Sequence, residues 1–230
     1  IRQGSISIAS IYGGTGLRIT LPSDSIGKDD CEINFGSLKD ILSGVKGVIE
    51  IATNGSVIIN TDSGEIMLPY NPAKLLLPNV KSEVASLDSG ELLKSLSKLL
   101  PFSATSENKR NLFGVLVEAQ DSGLRMVASD GFRLGYVDTS AVVMKSEAIM
   151  IPLYFAKLLQ GILKLVPESE VSIRADKNSV KIQSEYFELV FPRPDFDFPD
   201  YRRILPSRFK AELKVNREEL LEAINRSTGA

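Results

Sequence analysis

Apolar positions two apart mark the first third of the chain: Ile6 and Ile8, Leu17 and Ile19, Ile49 and Ile51, Val57 and Ile59. That period is the signature of a strand with one buried face. The same reading predicts strands over 82–87, 112–119, 123–129, 133–137, 171–175 and 180–184. Asn54-Gly55, Asp121-Ser122-Gly123 and Asp130-Gly131 supply turns between them, because Asn, Asp and Gly tolerate the backbone angles that tight turns need. Over 91–100 the period lengthens, and Leu92, Leu93, Leu96, Leu99 and Leu100 form a helical stripe. Asp88 or Ser89 can cap this helix and Pro101 stops it. A second helix follows Pro152 over 153–165, since proline suits the start of a helix. It buries Ala156, Leu159, Ile162 and Leu163, flanked by Leu158 and Leu165, and leaves Lys157, Gln160 and Lys164 on another face. A third helix is predicted over 37–45. Two helices packed on antiparallel sheet make an α+β layer structure.

The pattern repeats. Ser56-Val57-Ile58-Ile59-Asn60 parallels Ser179-Val180-Lys181-Ile182-Gln183 at an offset of 123 positions, and Pro69 and Pro192 keep that offset. Leu75-Leu76-Leu77-Pro78 corresponds to Phe196-Asp197-Phe198-Pro199. Ser7-Ile8-Ala9-Ser10 parallels Met126-Val127-Ala128-Ser129 at an offset of 119, and a helix follows in both copies. Both helices are expected to hold lysines seven apart, Lys39 and Lys46, then Lys157 and Lys164. Glu212-Leu213 and Glu219-Leu220-Leu221 echo Glu83-Val84 and Glu91-Leu92-Leu93. A tandem repeat fixes the fold reading before anything else does. It predicts a partial copy over 1–80, a complete one over 81–208, and the first strand and helix of a third over 209–230.

Composition then narrows the chemistry. The chain has 230 residues, 43% of them apolar, which is enough for a real core. It has no histidine and one cysteine, Cys31. That excludes Ser-His-Asp and Cys-His catalysis and the usual zinc sites, so no catalytic residue, metal or cofactor is expected. A lone cysteine builds no internal disulfide and suits a reducing cytoplasm. No apolar run approaches the roughly 18–20 residues that span a bilayer. The opening Ile1-Arg2-Gln3-Gly4-Ser5-Ile6 is not a leader and lacks a methionine, which suggests a piece of a longer protein. The formal charge of −2 argues against a wholly basic nucleic-acid binder, while leaving room for a basic face.

Two segments carry a family resemblance. Phe198-Pro199-Asp200-Tyr201-Arg202-Arg203-Ile204-Leu205-Pro206 is similar to the segment that closes the second domain of bacterial DNA polymerase III β subunits, the β sliding clamps. Leu124-Arg125-Met126-Val127-Ala128-Ser129-Asp130-Gly131-Phe132-Arg133-Leu134 resembles a second signature of that family, with Ser129 in place of the usual Thr and Phe132 in place of His. Leu112-Phe113-Gly114-Val115 fits as well. After Ile8-Ala9-Ser10 the chain departs from the family with Ile11-Tyr12-Gly13-Gly14, where a hairpin turn is predicted and not a phosphate loop.

The resemblance implies tandem DNA-clamp domains, dimerised head to tail into a ring around double-stranded DNA, that serve as a processivity factor in DNA replication. It implies that the gene continues by one more repeat unit beyond Ala230. Lysines and arginines on ring-lining helices would face phosphates without reading bases: Lys39, Lys46, Lys94, Lys98, Lys109, Arg110, Lys157 and Lys164. Taken singly, each reads first as a solvated surface charge, and it is the recurrence of the seven-residue lysine spacing in both copies that moves the set toward function. The resemblance also implies a pocket that takes short linear motifs from the replicative polymerase and the clamp loader. Its matching positions are Leu112, Ser129, Gly131, Phe132, Arg133, Leu134, Pro199, Arg203 and Ile204. Apolar walls with a few polar groups suit peptide capture. On composition alone Leu112 and Leu134 also read as core, Asp130-Gly131 as a turn and Arg133 as an ion-pair partner. The competing reading of another class is a phage- or plasmid-type paralogue, an interaction module that does not encircle DNA.

Overall fold

The computed structural model describes residues 4–24, 29–62, 64–72, 75–206, 208 and 210–228; the first three residues of the opening segment lie outside these. The chain divides into two compact units, 1–197 and 198–230.

In the first unit, β1 (Gly4–Tyr12) and β2 (Thr15–Ser23) form the opening hairpin. Its two-residue loop is Gly13-Gly14, with φ of 55° and 79°. Positive φ at both positions gives the turn whose twist matches the strands, and glycine takes it without a Cβ clash. Next come β3 (Cys31–Glu32) and α1 (Phe35–Gly44), which starts where the Asn34 carboxamide oxygen accepts from the Ser37 amide at 3.0 Å. Then β4 (Glu50–Thr53), β5 (Ser56–Thr61) and β6 (Gly64–Pro69) form a three-stranded sheet, and β7 (Asn71–Pro72) returns to pair with β3.

The second copy opens with β8 (Glu83–Asp88) and α2 (Ser89–Leu99). Asp88 is the cap, and its carboxylate accepts from the amides of Gly90 and Glu91 at 2.9 and 3.1 Å. Pro101 follows, in a 3₁₀ turn, and a second 3₁₀ turn spans Glu107–Leu112. After these come β9 (Gly114–Gln120), β10 (Gly123–Ser129), β11 (Leu134–Thr139), β12 (Val142–Val143), β13 (Ala148–Pro152) and α3 (Leu153–Leu165). A meander of β14 (Glu170–Ala175), β15 (Ser179–Gln183) and β16 (Phe187–Pro192) ends the copy.

Two larger sheets result. One has the order β1-β2-β16-β15-β14-β8-β12 and the other β11-β10-β9-β13. Every strand pair among the described residues is antiparallel. The core lies between these sheets and the two helices, where Leu92, Leu96 and Leu99 of α2 meet Phe155, Ala156, Leu159, Ile162 and Leu163 of α3. Burying one such leucine stabilises by about 2 kcal/mol. Across the surface of the helix pair, Gln160 Nε2 donates to Ser97 Oγ at 3.0 Å.

The seven-stranded sheet joins the two copies, because β2 pairs with β16 over Phe187↔Ile19, Glu188↔Arg18, Leu189↔Leu17 and Val190↔Gly16. A charge network reinforces the joint. The Glu188 carboxylate takes Arg18 Nη1 on one oxygen and Lys181 Nζ, at 2.6 Å, on the other. Arg18 Nη2 also donates to the Leu75 carbonyl at 3.1 Å.

In the second unit, a 3₁₀ turn spans Tyr201–Ile204 and α4 spans Arg217–Thr228. The expected first strand of a third copy, around Glu212-Leu213, is absent: residues 211–216 are irregular. A strand needs a neighbour to satisfy its amides, and none of the described residues pairs there. Two boundaries also differ from expectation. Helix α1 ends at Gly44, with Val45 already extended, so Lys46 lies beyond it. Leu112 closes a 3₁₀ turn, and the strand predicted over 112–119 starts at Gly114. Among the described residues no helix is long and apolar enough to cross a membrane.

Candidate functional site

Two surfaces of the first unit gather the residues singled out by sequence. The first is the turn between β10 and β11. Its anchor is Asp130, whose Oδ1 accepts from the amides of Phe132 and Arg133 at 2.9 and 3.0 Å. Its Oδ2 accepts from Arg133 Nε at 3.0 Å. These bonds, the two backbone amides above all, hold the Asp130 carboxyl down at about 2. Ser129 Oγ accepts from the Gly131 amide at 3.1 Å and donates to the Arg133 carbonyl at 2.9 Å. Gly131 has a φ of 89°, which a side chain takes only with strain, so glycine belongs here.

Around this turn stand a few apolar groups. Leu112 approaches Gly131, and Leu112, Leu134 and Phe102 are half-buried. Phe132 is 92% exposed, and Lys109 Nζ lies over its ring, 4.7 Å from the centroid. Lys109 also donates to the Asp130 carbonyl at 2.7 Å. Arg133 reaches back to the Pro101 carbonyl at 2.9 Å, with its guanidinium 5.7 Å from the centre of the Phe102 ring. Thus Asp130-Gly131 is a turn and Arg133 an ion-pair partner, as their plainer readings had it, and both also shape an apolar surface. Gly135 completes the fit, because a Cβ there would meet the Phe102 ring at 2.9 Å.

Pro199, Arg203 and Ile204 belong to the second unit. All three are exposed, and Arg203 pairs with Asp200 at 3.0 Å.

The second surface is the outer face of α2 and α3. Lys94 and Lys98 are exposed, four apart on α2, and Lys157 and Lys164 are exposed on α3. Residues four apart share a helix face. Lys94 bonds Glu91 at 2.8 Å, which pushes its ammonium pKa further up. The other two expected cationic residues of this copy sit elsewhere. Lys109 is engaged at the Asp130 turn, and Arg110 lines a polar cleft of about 730 Å³ with Glu107, Asn108, Asn111, Asp195, Phe196 and Asp197. In the first copy Lys39 is exposed on α1, and Lys46 is exposed beyond its end.

Sequence reasoning missed Phe102, whose position after the proline that ends α2 is its only sequence signal. It also placed Leu158 and Leu165 as flanking the buried face of α3 and left Tyr154 aside, and all three are exposed. Among the described residues no group of His, Cys, Asp and Glu could hold a metal ion.

No protein-family model matches the chain. The beta sliding clamp of Vibrio cholerae is 29% identical to it over 160 residues, 65% of this chain and 42% of that protein. The beta sliding clamp of Helicobacter pylori strain J99 is 25% identical over 221 residues, 91% of this chain and 58% of that protein. The crystal structure of the DNA polymerase III beta subunit from Thermotoga maritima superposes with a TM-score of 0.80 at 25% identity, covering 98% of this chain and 63% of that one. The fold is that of the bacterial sliding clamp. The chain spans about half the length of the curated clamps it matches, 42% and 58%. The helix pair with the exposed lysines and the turn beside Leu112 both lie in the first unit, between β8 and β14.

Proposed function

We propose that this chain is the working part of a DNA polymerase processivity factor, a non-catalytic clamp that holds duplex DNA without reading its sequence. Residues 1–80, 81–208 and 209–230 then belong to successive clamp domains. The longer protein would close a ring by head-to-tail pairing with a second copy, in the cytoplasm. One observation carries this reading: two helices share one core and carry four exposed lysines, Lys94, Lys98, Lys157 and Lys164. Exposed lysines meet phosphates individually weakly, and collectively through counterion release. The names of the relatives favour the processivity reading over a paralogue that does not encircle DNA.

The test is duplex binding by the chain across a salt series. Replacing the four lysines with alanine is expected to flatten the slope of log affinity against log salt by about one unit for each phosphate no longer neutralised. A slope unchanged by all four substitutions would sink the lysine reading.

The Asp130 turn supports a second element of the same function. We propose that Leu112, Ser129, Gly131, Phe132, Arg133 and Leu134 receive a short apolar motif from the polymerase or clamp loader. A Gln-Leu-x-Leu-Phe-type peptide is the probe, and Leu134→Ala is expected to weaken its binding. Equal affinity of the variant and the parent chain would remove the turn from the function.

A further inference from the structure

The outward face of α3 carries more than lysine. Tyr154, Lys157, Leu158, Gly161, Lys164 and Leu165 recur at spacings of one, three and four residues, so they share one side of the helix. All six are exposed, Tyr154 at 55% and Leu165 at 83%. The helix contains no acidic residue in its thirteen positions. An apolar ridge set among lysines that make no ion pair among the described residues is complementary to an anion that also offers flat apolar surface. Duplex DNA shows a lysine its phosphates but keeps its base faces stacked inside. Unpaired nucleic acid offers both, since every base has a π-face that stacks on an aromatic ring.

Gly161 adds an independent observation. It sits in the middle of α3, and a Cβ built on it would meet no atom within 4 Å. Glycine in a helix interior is destabilising relative to alanine, and no contact among the described residues requires it here. It leaves a notch between Lys157 and Lys164 where a partner's backbone can come close.

We infer that this face of α3 is a contact site for single-stranded nucleic acid, with Tyr154 stacking on a base, Lys157 and Lys164 meeting the flanking phosphates, and Gly161 admitting the backbone. This deepens the lysine reading above and rests on it. Tyr154 is pre-positioned for the role. Its ring lies 4.3 Å from that of Phe155, whose own ring stacks on Phe191 at 4.5 Å, so its orientation is set from the core while its outer side stays open.

The test compares a labelled oligothymidylate with a blunt duplex of equal length, both titrated into the chain. Tyr154→Ala is expected to weaken oligothymidylate binding about tenfold and to change duplex binding less than twofold. Tyr154→Phe, which keeps the ring, is expected to bind like the parent chain. Gly161→Ala folds at least as well and is expected to weaken the single strand selectively. Lys157→Ala is expected to weaken both ligands. If Lys157→Ala weakens both while Tyr154→Ala and Gly161→Ala weaken neither or both equally, the stacking inference is overturned and the lysine reading stands. If Lys157→Ala and Lys164→Ala leave both ligands unaffected, the lysine reading falls and takes this inference with it. Loss of anionic-vesicle binding in Tyr154→Ala with oligothymidylate binding intact would overturn it in favour of a lipid surface.

Discussion

Ile51 and Ile173 occupy the same place in two copies of one pattern. Ile51 pairs across the sheet with Ile59, Ile173 pairs with Ile182, and the two partners match at the repeat offset. Yet Ile173 is 1% exposed and Ile51 is 40% exposed. The strands are not what differs. In the second copy β8 pairs with β14, and α2 packs over the core that holds Ile173. In residues 4–80, β4 is an edge strand, and among the described residues there no counterpart of β8 or α2 is present. An apolar alternation therefore marks a face that can be buried, and burial itself comes from the elements laid against it.

The largest break of this comparison is a matched pair of truncations. Ile173→Ala is expected to cost about 2–5 kcal/mol and Ile51→Ala about 1 kcal/mol or less, read from urea denaturation midpoints. Equal losses would mean that the two copies are packed alike in solution. The next effect tests the joint between the copies. Glu188→Gln leaves Arg18 and the largely buried Lys181 ammonium without their carboxylate, and is expected to cost about 1–3 kcal/mol. Amide exchange should then rise along β2 and β16 ahead of the rest of the second copy.

A smaller effect of opposite sign is expected at Gly161. Alanine there fits open space and should stabilise by about 0.5–1 kcal/mol, visible as a higher melting temperature. The smallest effect separates the two hairpin turns. The loop between β1 and β2 is held by glycine φ angles, whereas the one between β10 and β11 is held by the Asp130 carboxylate. Asp130 has its folded pKa lowered from 3.8 to about 2, so its contribution is complete above 3.8 and fades as the pH falls towards 2. A carbon NMR titration of the Asp130 carboxyl should show a midpoint near 2, and a midpoint near 3.8 would mean that the turn is not formed in solution.

Much of the second copy was legible beforehand. The strand predicted over 123–129 and the helix over 153–165 have those bounds, because alternation and a proline at the helix start are local signals. Strand β13, Ala148–Pro152, was not predicted: its last four residues are all buried, so it shows no alternation. Lys46 fell off its helix because the end of α1 is fixed by where Val45 becomes extended, and repeat spacing does not encode that. At the candidate site the Asp130 turn was readable from its own residues. The support beneath it was not, since Arg133 meets Pro101 and Phe102 across more than thirty positions of chain. The lysine pairs were readable as spacings, while the exposure of Tyr154 and Leu158 depended on which side of α3 the sheets left open.

The ladder between β2 and β16 has a mechanical consequence. Tension between residues 4–80 and the second copy is borne by several neighbouring backbone hydrogen bonds at once and by the Glu188 bridge, so the connecting segment after Pro72 is not the sole tether. Cutting that connector would leave the pieces clasped, and twisting one against the other would shear the whole row. The angle between the copies is thus set by strand geometry, and a longer or shorter connector should leave it unchanged.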